Sequence, residues 1–148
     1  MKYYTKKWYL NGCVDAPVID DKTYCEYDTN IHDTKIIKSE SREDGSFALI
    51  IDTKDIWSNY SEIVFCDYQI ITNNNLYGAF CIADEIYVKD DRIEYHLLLW
   101  SENIQDANKL GYFTIQAKKV LFYEKDAQNA DSLLKEGRFI TCKSNTDV

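Results

Sequence analysis

The sequence predicts a mainly β, α+β domain: a curled antiparallel sheet, sandwich or partial barrel, with one C-terminal helix. Three observations carry that expectation. Aromatic side chains are abundant, with 12 Tyr, 6 Phe and 3 Trp in 148 residues, and they suit pleated, half-buried surfaces better than helix interiors. Hydrophobicity alternates with period two, most clearly over Arg92 to Trp100 (R-I-E-Y-H-L-L-L-W), which puts Ile93, Tyr95, Leu97 and Leu99 on one face. Turn signals punctuate the chain at short spacing, among them Asn11-Gly12, Asp44-Gly45, Asn73-Asn74-Asn75 and Asp90-Asp91. The length of 148 residues fits one domain over residues 1–148, and no repeat or linker divides it.

The elements follow in order. Tyr3 to Leu10 reads as an aromatic strand ending at Asn11-Gly12, and Asp15 to Asn30, with the lone Pro17, reads as a loop holding one short strand. Two strand-like runs, from Ile31 to Ser41 and from Ser46 to Asp52, flank Arg42-Glu43-Asp44-Gly45. If Glu43, Asp44 and Gly45 form a three-residue loop with Gly45 left-handed, Ser41 faces Phe47 and Ile37 faces Ile51, which gathers the apolar residues. Thr53 to Tyr60 reads either as one helical turn capped by Thr53 or as a loop. Strands are expected over Glu62 to Thr72, from Leu76 or Tyr77 to Val88, over Arg92 to Trp100, and over Leu110 to Tyr123, the last after a polar segment from Ser101 to Lys109. Asp126 to Glu136 is the expected helix, capped by Asp126, striped by Ala127, Ala130, Leu133 and Leu134, and stopped by Gly137. Arg138 to Cys142 returns as a short strand.

A formal charge of −8 opposes nucleic-acid binding, which draws on clustered Lys and Arg. It favours a basic protein partner through electrostatic steering. The five cysteines (Cys13, Cys25, Cys66, Cys81, Cys142) form no C-x-x-C pair, and an odd number fits free thiols in a reducing, cytoplasmic setting. No apolar run reaches the length of a membrane span, and no apolar leader precedes Lys2, Lys6 and Lys7.

The chemistry-bearing residues are few. A two-residue loop at Asp90-Asp91 sets Glu85 opposite His96 and Tyr87 opposite Glu94, with all four on one face. A carboxylate beside an imidazole favours its charged form and suits acid/base work or metal binding; a cross-strand pair that merely stabilises the sheet is the plainer account. His32 and Asp33 form a second candidate, although neighbours on a strand point to opposite faces. Tyr4 and Trp8 stand on an N-terminal strand with aromatics on both faces, which suggests docking on another protein or a second copy. The expected binding residues are thus Tyr4, Trp8, His32, Asp33 and Tyr87; the catalytic candidates are Glu85, His96 and Glu94. No nucleophile elbow, zinc-protease helix motif, phosphate loop or EF-hand spacing is present, and neither a cofactor nor a defined metal site is expected.

The opening M-K-Y-Y-T-K-K-W-Y resembles the start of an uncharacterised family of small bacterial proteins, a domain of unknown function whose members often begin M-K-Y-F-T-K-x-W-Y. I-H-D-T-K-I-I at 31–37, L-Y-G-A-F-C-I-A-D-E-I-Y at 76–87 and I-E-Y-H-L-L-L at 93–99 are similar to its later text. That family carries a longer, more helical insert after the opening motif, where this chain has a short polar stretch. The resemblance implies a bacterial, cytosolic origin and marks His32, Asp33, Glu85, Glu94 and His96 as matching positions. The leading expectation for function is a non-catalytic binding or interaction module, for instance an immunity-type protein that neutralises a basic toxin. The alternatives are a small metal-assisted hydrolase using Glu85 and His96, with Glu94 or Asp33, and a small apolar-ligand barrel.

Overall fold

A strand with one apolar face buries it only beside other strands and against a second layer, so the alternating runs must assemble together. The computed structural model describes residues 24–25, 29–74, 76, 79–89, 91–100, 111–125, 129–134 and 138–143. It shows nine strands in one antiparallel sheet: β1 (Tyr24–Cys25), β2 (Thr34–Ser41), β3 (Phe47–Asp52), β4 (Tyr60–Asn74), β5 (Phe80–Lys89), β6 (Arg92–Trp100), β7 (Gly111–Glu124), β8 (Asn129–Leu134) and β9 (Arg138–Lys143). The mainly β, antiparallel architecture read from the sequence is the one observed. Pairing runs from β2 through β3, β4, β7 and β6 to β5. β5 then pairs with β2 at Thr34↔Cys81 and Lys35↔Phe80, so the ladder returns on itself as a barrel. β1 joins the far end of β5, while β8 and β9 extend the sheet from the second half of β7.

Inward-facing side chains fill the barrel. Phe47 lies 6.0 Å from Phe113 and 6.3 Å from Phe65 between ring centroids, and Tyr95 lies 6.1 Å from Phe65 and 6.3 Å from Phe122. Ile36, Leu49, Ile63, Ile93, Leu97 and Ile115 close the spaces around them. Offset and edge-on rings at these separations add to their burial energy.

The first hairpin has the expected loop. Ser41 pairs with Phe47, Gly45 takes a left-handed φ of 86°, and Arg42 N–H donates to Ser46 O at 2.9 Å. Ser46 donates from both N (2.9 Å) and Oγ (2.6 Å) to Asp44 Oδ1, which holds the Asp44 carboxyl below its usual range. Farther along, the register departs from expectation: a bulge between Ile36 and Lys38 puts Ile36, not Ile37, opposite Ile51. Adjacent isoleucines cannot both face inward on a regular strand, and the bulge leaves Ile37 47% exposed.

The structure decides between the two readings of Thr53 to Tyr60 and corrects the expected C-terminal helix. Thr53 does cap a turn, its Oγ1 accepting from Asp55 N–H at 3.3 Å and donating to Ser58 O at 2.6 Å. The turn is not helical, because Lys54 and Asp55 are both left-handed, each with φ 54°, and cannot begin a right-handed helix. More consequentially, Asn129–Leu134 is strand β8 in place of the C-terminal helix. β6 reaches only Ala117 on β7, so the edge of β7 beyond it offers backbone groups that need partners. β8 supplies them at Val120↔Leu133 through Tyr123↔Ala130. That tertiary demand outweighs helix propensity, and Ala130, Ser132 and Leu133 are buried by it. β9 answers the expected short strand after Gly137, and β1 answers the one expected between Asp15 and Asn30. The expected strand at Tyr3 to Leu10 lies outside the described residues, as does the segment from Ser101 to Lys109. No helix among the described residues is long and apolar enough to cross a membrane.

Candidate functional site

The hairpin of β5 and β6 closes with Lys89↔Arg92 as its last pair, and Asp91 is left-handed at φ 68°. This tight turn fixes Glu85↔His96 and Tyr87↔Glu94, the register expected from the sequence. Ile93, Tyr95, Leu97 and Leu99 belong to the interior cluster, so Glu94 and His96 stand on the opposite, outer face. That face is nevertheless closed. Glu85 is 2% exposed, Tyr87 3% and Glu94 8%.

Burial without a partner would cost these groups several kcal/mol, so they are tied to each other. His96 Nε2 lies 2.9 Å from Glu94 Oε2, and its Nδ1 lies 2.7 Å from the Tyr112 hydroxyl and 3.3 Å from Thr114 Oγ1. A carboxylate only accepts, so Nε2 carries the proton of its bond to Glu94, while Nδ1 and the Tyr112 hydroxyl share the second bond. Gln116 Nε2 donates to the other Glu94 oxygen at 3.0 Å. Tyr87 Oη donates to Glu85 Oε2 at 2.7 Å, and the Tyr87 ring meets the imidazole edge-on at 5.2 Å. The imidazole thus turns to Glu94 on its own strand, while Glu85 is engaged by Tyr87. Among the described residues, no three His, Cys, Asp or Glu side chains are disposed to hold a metal ion.

Tyr112, Thr114 and Gln116 were not singled out from the sequence. Their signal is a polar stripe alternating with Phe113, Ile115 and Ala117. The pairing that brings them to His96 is His96↔Thr114 and Glu94↔Gln116, across a connection that sequence does not register. A second polar group missed from sequence lies on the inner face. Tyr95 Oη and Thr29 Oγ1 each donate to Asp84 Oδ2 at 2.5 Å, and burial pushes the Tyr95 hydroxyl well above its ordinary pKa. Burial does the same to the thiol of Cys81.

The other sequence candidates do not join this cluster. His32 Nε2 sits 3.5 Å from Asp33 Oδ2, with both side chains more than half exposed, ahead of β2. His32 instead faces Trp57, ring centroids 6.5 Å apart. Tyr4 and Trp8 lie outside the described residues.

Comparison with protein-family models, with curated proteins and with solved structures returned no match.

Proposed function

We propose that this chain is a non-catalytic binding or interaction module whose partner is a basic protein; an immunity-type protein that neutralises a cationic toxin is one concrete form. The observation that carries this reading is the engagement of both His96 nitrogens and both Glu94 oxygens within the sheet. A general base or a metal ligand needs a lone pair turned towards the reactant, and His96 and Glu94 spend theirs on each other and on β7. Against the hydrolase alternative stands the engagement of His96 and Glu94, and against the ligand-barrel alternative stand the buried rings of the interior. What remains outward is an acidic surface, with a net charge of −8, which steers cationic partners. The reading includes a bacterial cytoplasmic setting, in keeping with the free thiols of Cys66 and Cys81.

The test is affinity capture on the immobilised chain from extracts of the cells that encode it, followed by titration of the recovered protein. Recovery of a cationic protein whose affinity falls steeply as salt is raised is the expected result. Failure to recover one, or turnover of a substrate by the purified chain, would overturn the reading.

A further inference from the structure

β4 is 15 residues long, and its two edges are used unequally. One edge pairs with β7 from Tyr60↔Glu124 to Asn74↔Tyr112. The other pairs with β3 only from Glu62 to Phe65, because β3 begins at Phe47, opposite Phe65. Among the described residues no strand pairs that second edge beyond Phe65. Alternate residues of a strand turn their N–H and C=O to the same edge, so residues 68–74 offer a row of backbone donors and acceptors to water. The stretch is held in place, since Tyr68 and Ile70 pack against the core and the Tyr68 ring lies 5.4 Å from that of Phe47. Natural sheets guard such an edge with charged residues or proline, as Lys38 and Glu40 are placed along β2. Residues 68–74 read Y-Q-I-I-T-N-N, without charge or proline, in a chain of net charge −8. Gln69, Ile71 and Asn73 are exposed along it, Ile71 at 48%. The carboxylate that precedes the run, Asp67, is held within its own sheet by Lys118 at 3.2 Å and Arg92 at 3.9 Å.

We propose that this edge pairs with the same edge of a second copy, β4 against β4 and antiparallel, about a two-fold axis near Ile71. The run is complementary to itself in that direction. Ile71 meets Ile71, which covers a large apolar side chain otherwise left in water, and Gln69 of each copy meets Asn73 of the other, where each amide both donates and accepts. The two Asp67 carboxylates fall at opposite ends of the paired segment, so like charges do not face one another. A chain of charge −8 repels its copy over most of its surface, and a neutral edge is where two copies approach at least cost. A cationic peptide gains no attraction there, which favours the second copy as occupant. The bulge between Ile70 and Thr72 interrupts the ladder beside the axis and pins the register. Because β7 already holds the other edge, two-fold pairing closes and yields a dimer, not a fibre. The contact is small, so the dimer is weak. It uses a surface apart from the charged one assigned to a basic partner and does not depend on that reading.

The experiment is sedimentation equilibrium of the purified full chain. Its mass is expected to rise from one chain towards two as concentration goes from about 1 μM to about 1 mM, and to rise further in higher salt, which screens the mutual repulsion. Ile71→Lys sets two ammonium groups face to face at the axis and should weaken association at least about tenfold. The control is Ile37→Lys, since Ile37 is as exposed at 47% and also sits at a bulge, on β2; it should associate as the wild type does. Should Ile71→Lys fail to fold, the double variant Gln69→Lys/Asn73→Lys opposes lysines at two positions and carries the comparison. A single-chain mass at every concentration overturns the proposal. So does association that the folded β4 variants leave unchanged, or that Ile37→Lys weakens equally, and growth beyond two chains overturns the closed two-fold.

Discussion

Removing the His96 ring takes from Glu94 Oε2 and from the Tyr112 hydroxyl the nitrogen each one meets at under 3 Å. Both groups lie where water has little access, so the loss is that of hydrogen bonds to polar and charged partners. His96→Ala is therefore expected to lower unfolding free energy in urea by about 2–3 kcal/mol, while leaving partner affinity within about twofold. Lost binding at unchanged stability would show instead that the imidazole faces a ligand. At this scale the sequence was legible where pairing was local. The Asp90-Asp91 turn signal in the sequence sets Glu85, Tyr87, Glu94 and His96 on one face. It could not show that the face is closed, because closure depends on contacts distant in the chain, nor that Tyr112 and Gln116 complete it.

Among elements, β8 marks the limit of reading periodicity alone. Ala130, Leu133 and Leu134 satisfy a helical stripe, but a run this short fits a buried strand as well. The deciding influence was the open edge of β7 beyond Ala117, a property of another element. The hairpin of β2 and β3 shows the complementary case: its loop was legible from Asp44-Gly45, while the bulge at Ile37 was hidden by two consecutive isoleucines. Leu133 is fully buried opposite Val120, so Leu133→Ala should cost about 2–4 kcal/mol by transfer and cavity terms. Amides of residues 130–133 should exchange with those of the barrel in hydrogen-exchange measurements. Loss of well under 1 kcal/mol, with early exchange there, would show that β8 is not integral to the sheet.

The barrel as a whole has an alkaline limit written into it. Tyr95 and Cys81 are fully buried, and burial raises both pKa values above their ordinary 10 and 9. Below those ordinary values the groups are protonated whether the chain is folded or not, and they leave stability unchanged with pH. Above them the unfolded chain releases protons that the folded chain retains, so stability falls as pH rises until the folded groups ionise as well. Thermal unfolding midpoints should thus fall above about pH 9, and the fall should be shallower in Tyr95→Phe; parallel slopes would count against this account. The closed ladder was only half legible, since curling follows from many twisted strands, whereas the joining of Thr34 to Cys81 follows from no local signal. One more consequence concerns the turns. With 5 glycines in the chain, left-handed backbone falls to Asp33, Asp55, Asp67 and Asp91, with φ from 52° to 68°, because aspartate bears that conformation better than most residues. Four carriers of negative charge thereby also bend the backbone. A lysine scan meant to repaint the electric field would distort the corners it touched, and asparagine is the replacement that removes charge while keeping shape.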